Sequence, residues 1–270
     1  MKQKITFLLF FLMLLSSVNK NAICQSSKKL IEITPQIVVK NFYWGEYNDN
    51  SVQDLEEYGN LYGGGFQSKF KFSQNLDLFI YAEAYFYNGT VDYNGFLQDV
   101  SGNFESYKSE TVYEWFESTF NIGYDFNPSY YFSFSPELGF QFESWDRDID
   151  NGGQYGYNEI YDMFLIDFGC TFTTRFSSNA KIFFKILGEY PLLIDEFINL
   201  AARGHEGPEE INLEPQPNIG LNAELGANTY GVYFSVIFDY LIFSKSFFDQ
   251  GFHQPESDRT IVGIKLGYTF

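Results

Sequence analysis

Cysteine, histidine and positive charge are all scarce in this chain. Of 270 residues two are Cys and two are His, and 17 Lys and Arg stand against 35 Asp and Glu, a formal charge of −18. So acidic a chain repels phosphate backbones, which argues against a nucleic-acid partner. Cys24 falls in the leader segment considered below, and Cys170 alone forms no internal disulfide. After that leader, no stretch has the roughly 18 unbroken apolar residues of a membrane-spanning helix. No Gly-x-Ser-x-Gly elbow is present. Gly63, Gly64 and Gly65 form a run, but no Lys-Ser/Thr follows at phosphate-loop spacing, so the glycines are expected to allow tight curvature or close approach of a side chain. No linker-like composition divides the chain, which points to one domain.

What is present is alternation. Phe132, Phe134, Pro136, Leu138, Phe140 and Phe142 interleave with Ser133, Ser135, Glu137, Gly139, Gln141 and Glu143, so one face of an extended segment is oily and the other polar. Ten such stretches predict an all-β chain, an antiparallel transmembrane β-barrel of about ten strands. Their expected spans are Leu30 to Tyr47, Gly59 to Phe72, Leu76 to Asp92, Thr111 to Phe126, Tyr130 to Trp145, Glu159 to Phe176, Ala180 to Tyr190, Pro217 to Gly226, Tyr230 to Ser244 and Arg259 to Phe270. Four short breaks carry turn residues: Ser73-Gln74-Asn75, Asn127-Pro128-Ser129, Ser177-Ser178-Asn179 and Ala227-Asn228-Thr229. Five longer gaps alternate with them, which predicts short periplasmic turns, long extracellular loops and both termini on the turn side.

The leader fits this reading. Lys2 and Lys4 precede an apolar run from Ile5 to Leu15, and Ala22-Ile23-Cys24 supplies small residues before a cut after Cys24. Residues 1–24 are therefore expected to be a secretory signal and 25–270 the barrel domain. Acylation of Cys24 is the competing reading, disfavoured by bulky Ile23. Cleavage would remove Lys2, Lys4 and Lys20 and no acid, leaving 14 basic residues against 35 acidic ones, a charge of −21.

Parity assigns faces. Leu78, Ile80, Ala82, Ala84 and Phe86 should meet lipid, as should Phe164, Ile166, Phe168, Cys170 and Phe172, and Val232, Phe234, Val236 and Phe238. The lumen should receive Lys40, Lys69, Glu83, Glu137, Asp167, Lys185, Glu224, Asp239 and Lys265. A Lys or Arg facing the bilayer midplane costs about 2 to 4 kcal/mol, and the inward parity spares these residues that cost. Because Phe79, Tyr81, Tyr85 and Lys185 are bulky, a mostly closed lumen is expected over a conducting one.

The last strand ends Val262, Ile264, Leu266, Tyr268 and Phe270, an alternating run closing on a carboxy-terminal aromatic residue. Here the chain resembles the Gram-negative outer-membrane β-barrel proteins, whose final strand commonly ends in Phe and is read by the assembly machinery. The resemblance implies export, outer-membrane residence amid lipid and lipopolysaccharide, and insertion through the strand ending Phe270. It implies no activity. In strand number alone the chain also resembles the omptin proteases. Arg203 and Gly204 before His205, with Glu206 after it, lack that family's Asp-x-His arrangement, so no catalytic residue is carried over.

Three candidate sites remain. Trp44, Trp115 and Trp145 share inward parity near the loop ends of strands with Tyr85, Tyr87, Tyr113 and Tyr161, and with Glu117 and Glu143 nearby. Together they suggest an aromatic cup for a small ligand such as a sugar or a flat or cationic molecule; interior packing or a lipid-interface girdle is the plainer reading. Asp146, Asp148 and Asp150, followed by Gly152, Gly153 and Glu159, place oxygen ligands in an expected long loop that would suit calcium, although no cofactor is required. A second acidic loop is expected to hold Asp49, Asp54, Glu56 and Glu57, and for both loops a solvated surface is the simpler account. His205 and His253 are expected in outer loops. Leu193 to Arg203 carries short helical spacing. The functional expectation is a non-enzymatic barrel for surface ligand binding or envelope integrity, ahead of a narrow passive channel and, third, an omptin-like or other hydrolase.

Overall fold

A computed structural model describes residues 30–270 except 49–51, 74–75, 99–103, 151–155, 200–209 and 250–251. The expected leader with Cys24, together with Asp49, Gly152, Gly153, and Arg203 to Glu206 with His205, lies outside the described residues. Twelve strands follow in order: β1 (Ile31–Tyr47), β2 (Gln53–Lys71), β3 (Leu78–Gln98), β4 (Phe104–Tyr124), β5 (Phe132–Ile149), β6 (Asn158–Ser177), β7 (Ala180–Asn199), β8 (Glu210–Leu213), β9 (Gln216–Pro217), β10 (Gly220–Thr229), β11 (Val232–Ser244) and β12 (Glu256–Tyr268). Every pairing is antiparallel. Because β12 pairs with β1 and β10 with β7, the sheet has no free end: β8, β9 and β10 together form one stave, and ten staves close a barrel. That stave is interrupted at residues 214–215 and 218–219, at Pro215 and just after Pro217, since proline offers no N–H to a ladder.

The structure bears out the predicted faces. Leu138, Phe140, Phe168, Phe172, Phe234 and Val262 are exposed on the outside, whereas Ser133, Glu137, Asp167, Ser235 and Lys265 are buried within. Gly63 and Gly65 of β2 stand opposite Tyr87 and Tyr85 of β3. The tyrosine rings lie over these glycines so closely that a Cβ on either would collide with them. The run permits a close approach by side chains that fill the lumen.

Four expectations change. The strands climb farther at the loop end: residues 53–58 of β2 and 93–98 of β3 are in strand, so the expected acidic loop is largely strand, with Glu57 buried inside the barrel. Asp146 and Asp148 likewise belong to β5, on its outward face, and only Asp150 lies in a turn, with φ of 55°. Above the lipid the outward face needs no oil, so the alternation that marks a strand fades there. Second, β7 continues through Leu193 and Phe197 to Asn199, replacing the described part of the short helical spacing by strand. Third, β10 extends through Ala227-Asn228-Thr229, and the turn is Tyr230-Gly231, both with positive φ. Two such residues make the tight hairpin whose twist suits the flanking strands, and glycine adopts that geometry without cost. Fourth, the connections at 48–52 and 99–103 span only five residues each.

The filled interior as candidate functional site

Inward side chains from every stave meet inside the barrel in tiers. At the short-turn end, Lys69 and Lys71 donate to Asp125 at 2.8 and 2.5 Å, and Ser135 donates to the same carboxylate at 2.7 Å. Asp125 follows β4, outside the strands. Burial alone would raise its pKa, but the charge of Lys69 and the hydrogen bonds from Lys69, Lys71 and Ser135 outweigh it and hold the carboxyl below its ordinary range. A cavity of about 120 Å³ opens here, lined in part by Lys69, Phe79, Arg175, Lys181 and Lys185.

One tier further in, Lys265 lies 3.4 Å from both Glu83 and Glu224, and Tyr233 donates to Glu224. Tyr81 donates to Glu83 at 2.8 Å and Tyr85 to Gln36 at 2.5 Å. Lys185 sits over the Tyr81 ring at 4.5 Å, and Glu137 accepts from Thr171 at 2.6 Å. Lys40 pairs with Glu117 at 2.5 Å beneath the rings of Tyr87 and Trp115, while Tyr87 donates to Glu117 at 2.6 Å. A second cavity of about 30 Å³ adjoins this tier.

Toward the loop end two arginines each gather several acids. Arg259 bonds Glu143 and also Asp239, at 2.9 Å for the latter, with its guanidinium 4.9 Å from the rings of both Trp115 and Trp145. Arg147 reaches Glu57 at 3.1 Å and Glu159 at 2.7 Å, beside Trp44 and Tyr161. Glu57 also accepts from Thr111 at 2.5 Å and from Tyr113. The tryptophans interlock edge to face, Trp115 with Trp145 at 4.8 Å and Trp44 with Trp145 at 5.8 Å, and Phe42 and Phe243 complete the packing. Edge-to-face contacts suit the ring quadrupoles, and an arginine between rings gains from the same charge distribution.

All nine residues of the expected cup therefore come together inside the barrel. They form a plug and not an open cup: Trp44, Trp115 and Trp145 are 1, 2 and 1% exposed, and both glutamates are engaged by interior cations. Every lumen charge named from parity points inward. Arg147, Arg259, Glu57, Glu159 and Glu189 were not among the lumen residues expected, yet Arg147 shares parity with Trp145 and Arg259 with Lys265. Glu159, Glu189 and Arg259 lie within the expected strands on the inward parity, and extending β2 and β5 by two residues at the loop end reaches Glu57 and Arg147. Among the described residues no group of three or more His, Cys, Asp or Glu is arranged to hold a metal. His253 is half-buried in the loop after β11, its ring 4.4 Å from that of Phe248.

On the outside, above the apolar band, three acid pairs face each other directly across the ladder: Asp92 with Glu110, Glu114 with Asp146, and Asp162 with Asp195. Like charges so placed repel, which leaves this collar suited to cations.

No family model matches the chain, and no curated protein matches it in sequence. Among solved structures, the outer membrane protease OmpT of Escherichia coli is similar at a TM-score of 0.54 and 12% identity, over 89% of this chain and 96% of its own. The transport unit of the autotransporter AIDA-I of Escherichia coli gives 0.48 at 7% identity, over 96 and 97% of the two chains. OprG of Pseudomonas aeruginosa gives 0.41 at 10%, over 90 and 97%. At such identities the likeness is one of fold. That fold, a closed antiparallel barrel of ten staves, is the one found in Gram-negative outer-membrane β-barrels.

Proposed function

We propose that this chain is a closed-lumen outer-membrane barrel, non-enzymatic, acting through its loop end in surface ligand binding or envelope integrity. One observation carries the reading: the three tryptophans, with Arg147 and Arg259 and their carboxylates, fill the barrel across its upper half. Solutes would have to displace buried ion pairs and interlocked rings, which is expensive because each separated charge would stay in a dry interior. The strands also support it. At 17 to 21 residues, β1 to β7 are about twice the 9 to 11 that a bilayer requires, so the barrel has a substantial collar to present beyond the lipid.

Planar-bilayer recording on the folded protein tests the closed lumen. The expected result is no steady conductance above the bare bilayer. Discrete, sustained openings would assign the narrow passive channel instead.

A further inference from the structure

We infer that Asn121, Asp167 and Glu189 form a buried binding site for one hard divalent cation of the calcium class, inside the barrel and distinct from the acidic outer collar. Asp167 of β6 and Glu189 of β7 are directly opposed in the ladder. Both point inward and are 1 and 0% exposed, and neither oxygen of either carboxylate has a hydrogen-bond partner among the described residues. A carboxylate buried with no partner is costly, and two side by side more so.

The third member reaches the pair across a glycine. Asp167 is opposite Gly139 of β5, which is opposite Asn121 of β4. The Asn121 carboxamide lies over Gly139, where a Cβ would collide with its Oδ1. Leaning over that bare backbone brings the amide toward β6. Asn121 is fully buried, and its Oδ1 and Nδ2 both lack partners. Two carboxylates and an amide offer five oxygens, the donor type hard cations select, and waters can complete the six to eight that calcium takes.

Charge favours a cation here. Around this point stand four acids, Glu143, Asp167, Glu189 and Asp239, and one arginine, Arg259, which is held by Glu143 and Asp239. Lys185 lies within electrostatic reach of Asp167. Glu83 also lies within electrostatic reach of Asp167, so acids outnumber bases around the pair and a cation is favoured there.

Because the site is buried, a bound ion should exchange slowly. The test is to refold the protein into detergent with calcium, desalt it, and measure retained metal by mass spectrometry. Wild type is expected to keep about one calcium per chain. The D167N/E189Q variant, nearly isosteric and checked for folding by heat-modifiable gel migration, should keep none, and N121A at most half. Wild type retaining no metal, or the double variant retaining as much as wild type, overturns the site. So does wild type without calcium that becomes more heat-resistant on mild acidification, since the carboxylates would then be sharing a proton.

Discussion

Arg259 shows what one inward side chain does in this barrel. It faces Glu143 and Asp239 while lying between two indole rings, so truncation removes packing and leaves two acids without their cation. Arg259→Ala is expected to cost about 3 to 5 kcal/mol in urea unfolding of the detergent-folded protein. A loss under about 1 kcal/mol would mean that water already screens the cluster. Asp125 supplies a pH signature at the other end. Its folded pKa is depressed, so its contribution is fully present above the unfolded value of about 3.9 and is lost as pH falls toward the lower folded value. Stability should therefore fall on acidification below about pH 4, and Asp125→Asn should flatten that part of the profile. An identical acid limb in the variant would assign the drop to other carboxylates.

Paired elements carry information that single strands do not. The Gly63 and Gly65 run was legible as a place for close approach, but Tyr87 and Tyr85 became its partners only through the β2–β3 register. Gly63→Val should force the Tyr87 ring aside and cost about 1 to 3 kcal/mol by overpacking. Adding Tyr87→Ala should recover part of that loss, and a strictly additive double variant would place the strain elsewhere. The same scale explains the misplaced strand ends. Where strands cross lipid, one face must be apolar and alternation marks them; beyond it, Asp146 on β5 or Glu56 on β2 is as comfortable outside as a loop residue would be. The ladder continues there through backbone hydrogen bonds, which leave no hydropathy trace.

For the whole molecule, the charges of the described strands sort into two compartments, the interior and the outer collar. Interior acids are largely met by buried lysines and arginines, while the collar pairs acid with acid. In an outer leaflet of phosphate-bearing lipid, divalent ions would bridge the two negative surfaces. Folded wild type should therefore retain lipopolysaccharide in magnesium and release it in EDTA. The D146N/D162N/D195N variant should retain at least about threefold less, in keeping with a charge-count effect. Retention unchanged by EDTA and by the variant would remove the collar from any such role.

The sequence by itself determined the barrel, its approximate strand number, the lipid face and the inward placement of nine lumen charges, Lys40 to Lys265. These follow from a two-residue period and from the cost of placing charge in hydrocarbon, both of which are local along the chain. Only the tertiary structure decided that the aromatic cup is a plug, that Arg147 and Arg259 are its ionic centres, and that Asn121 leans across Gly139 toward Asp167 and Glu189. Those contacts join staves far apart in sequence, and closure of the sheet, with its register, sets which inward residues share a level. Parity chooses a side of the wall; it cannot choose a neighbour across the lumen.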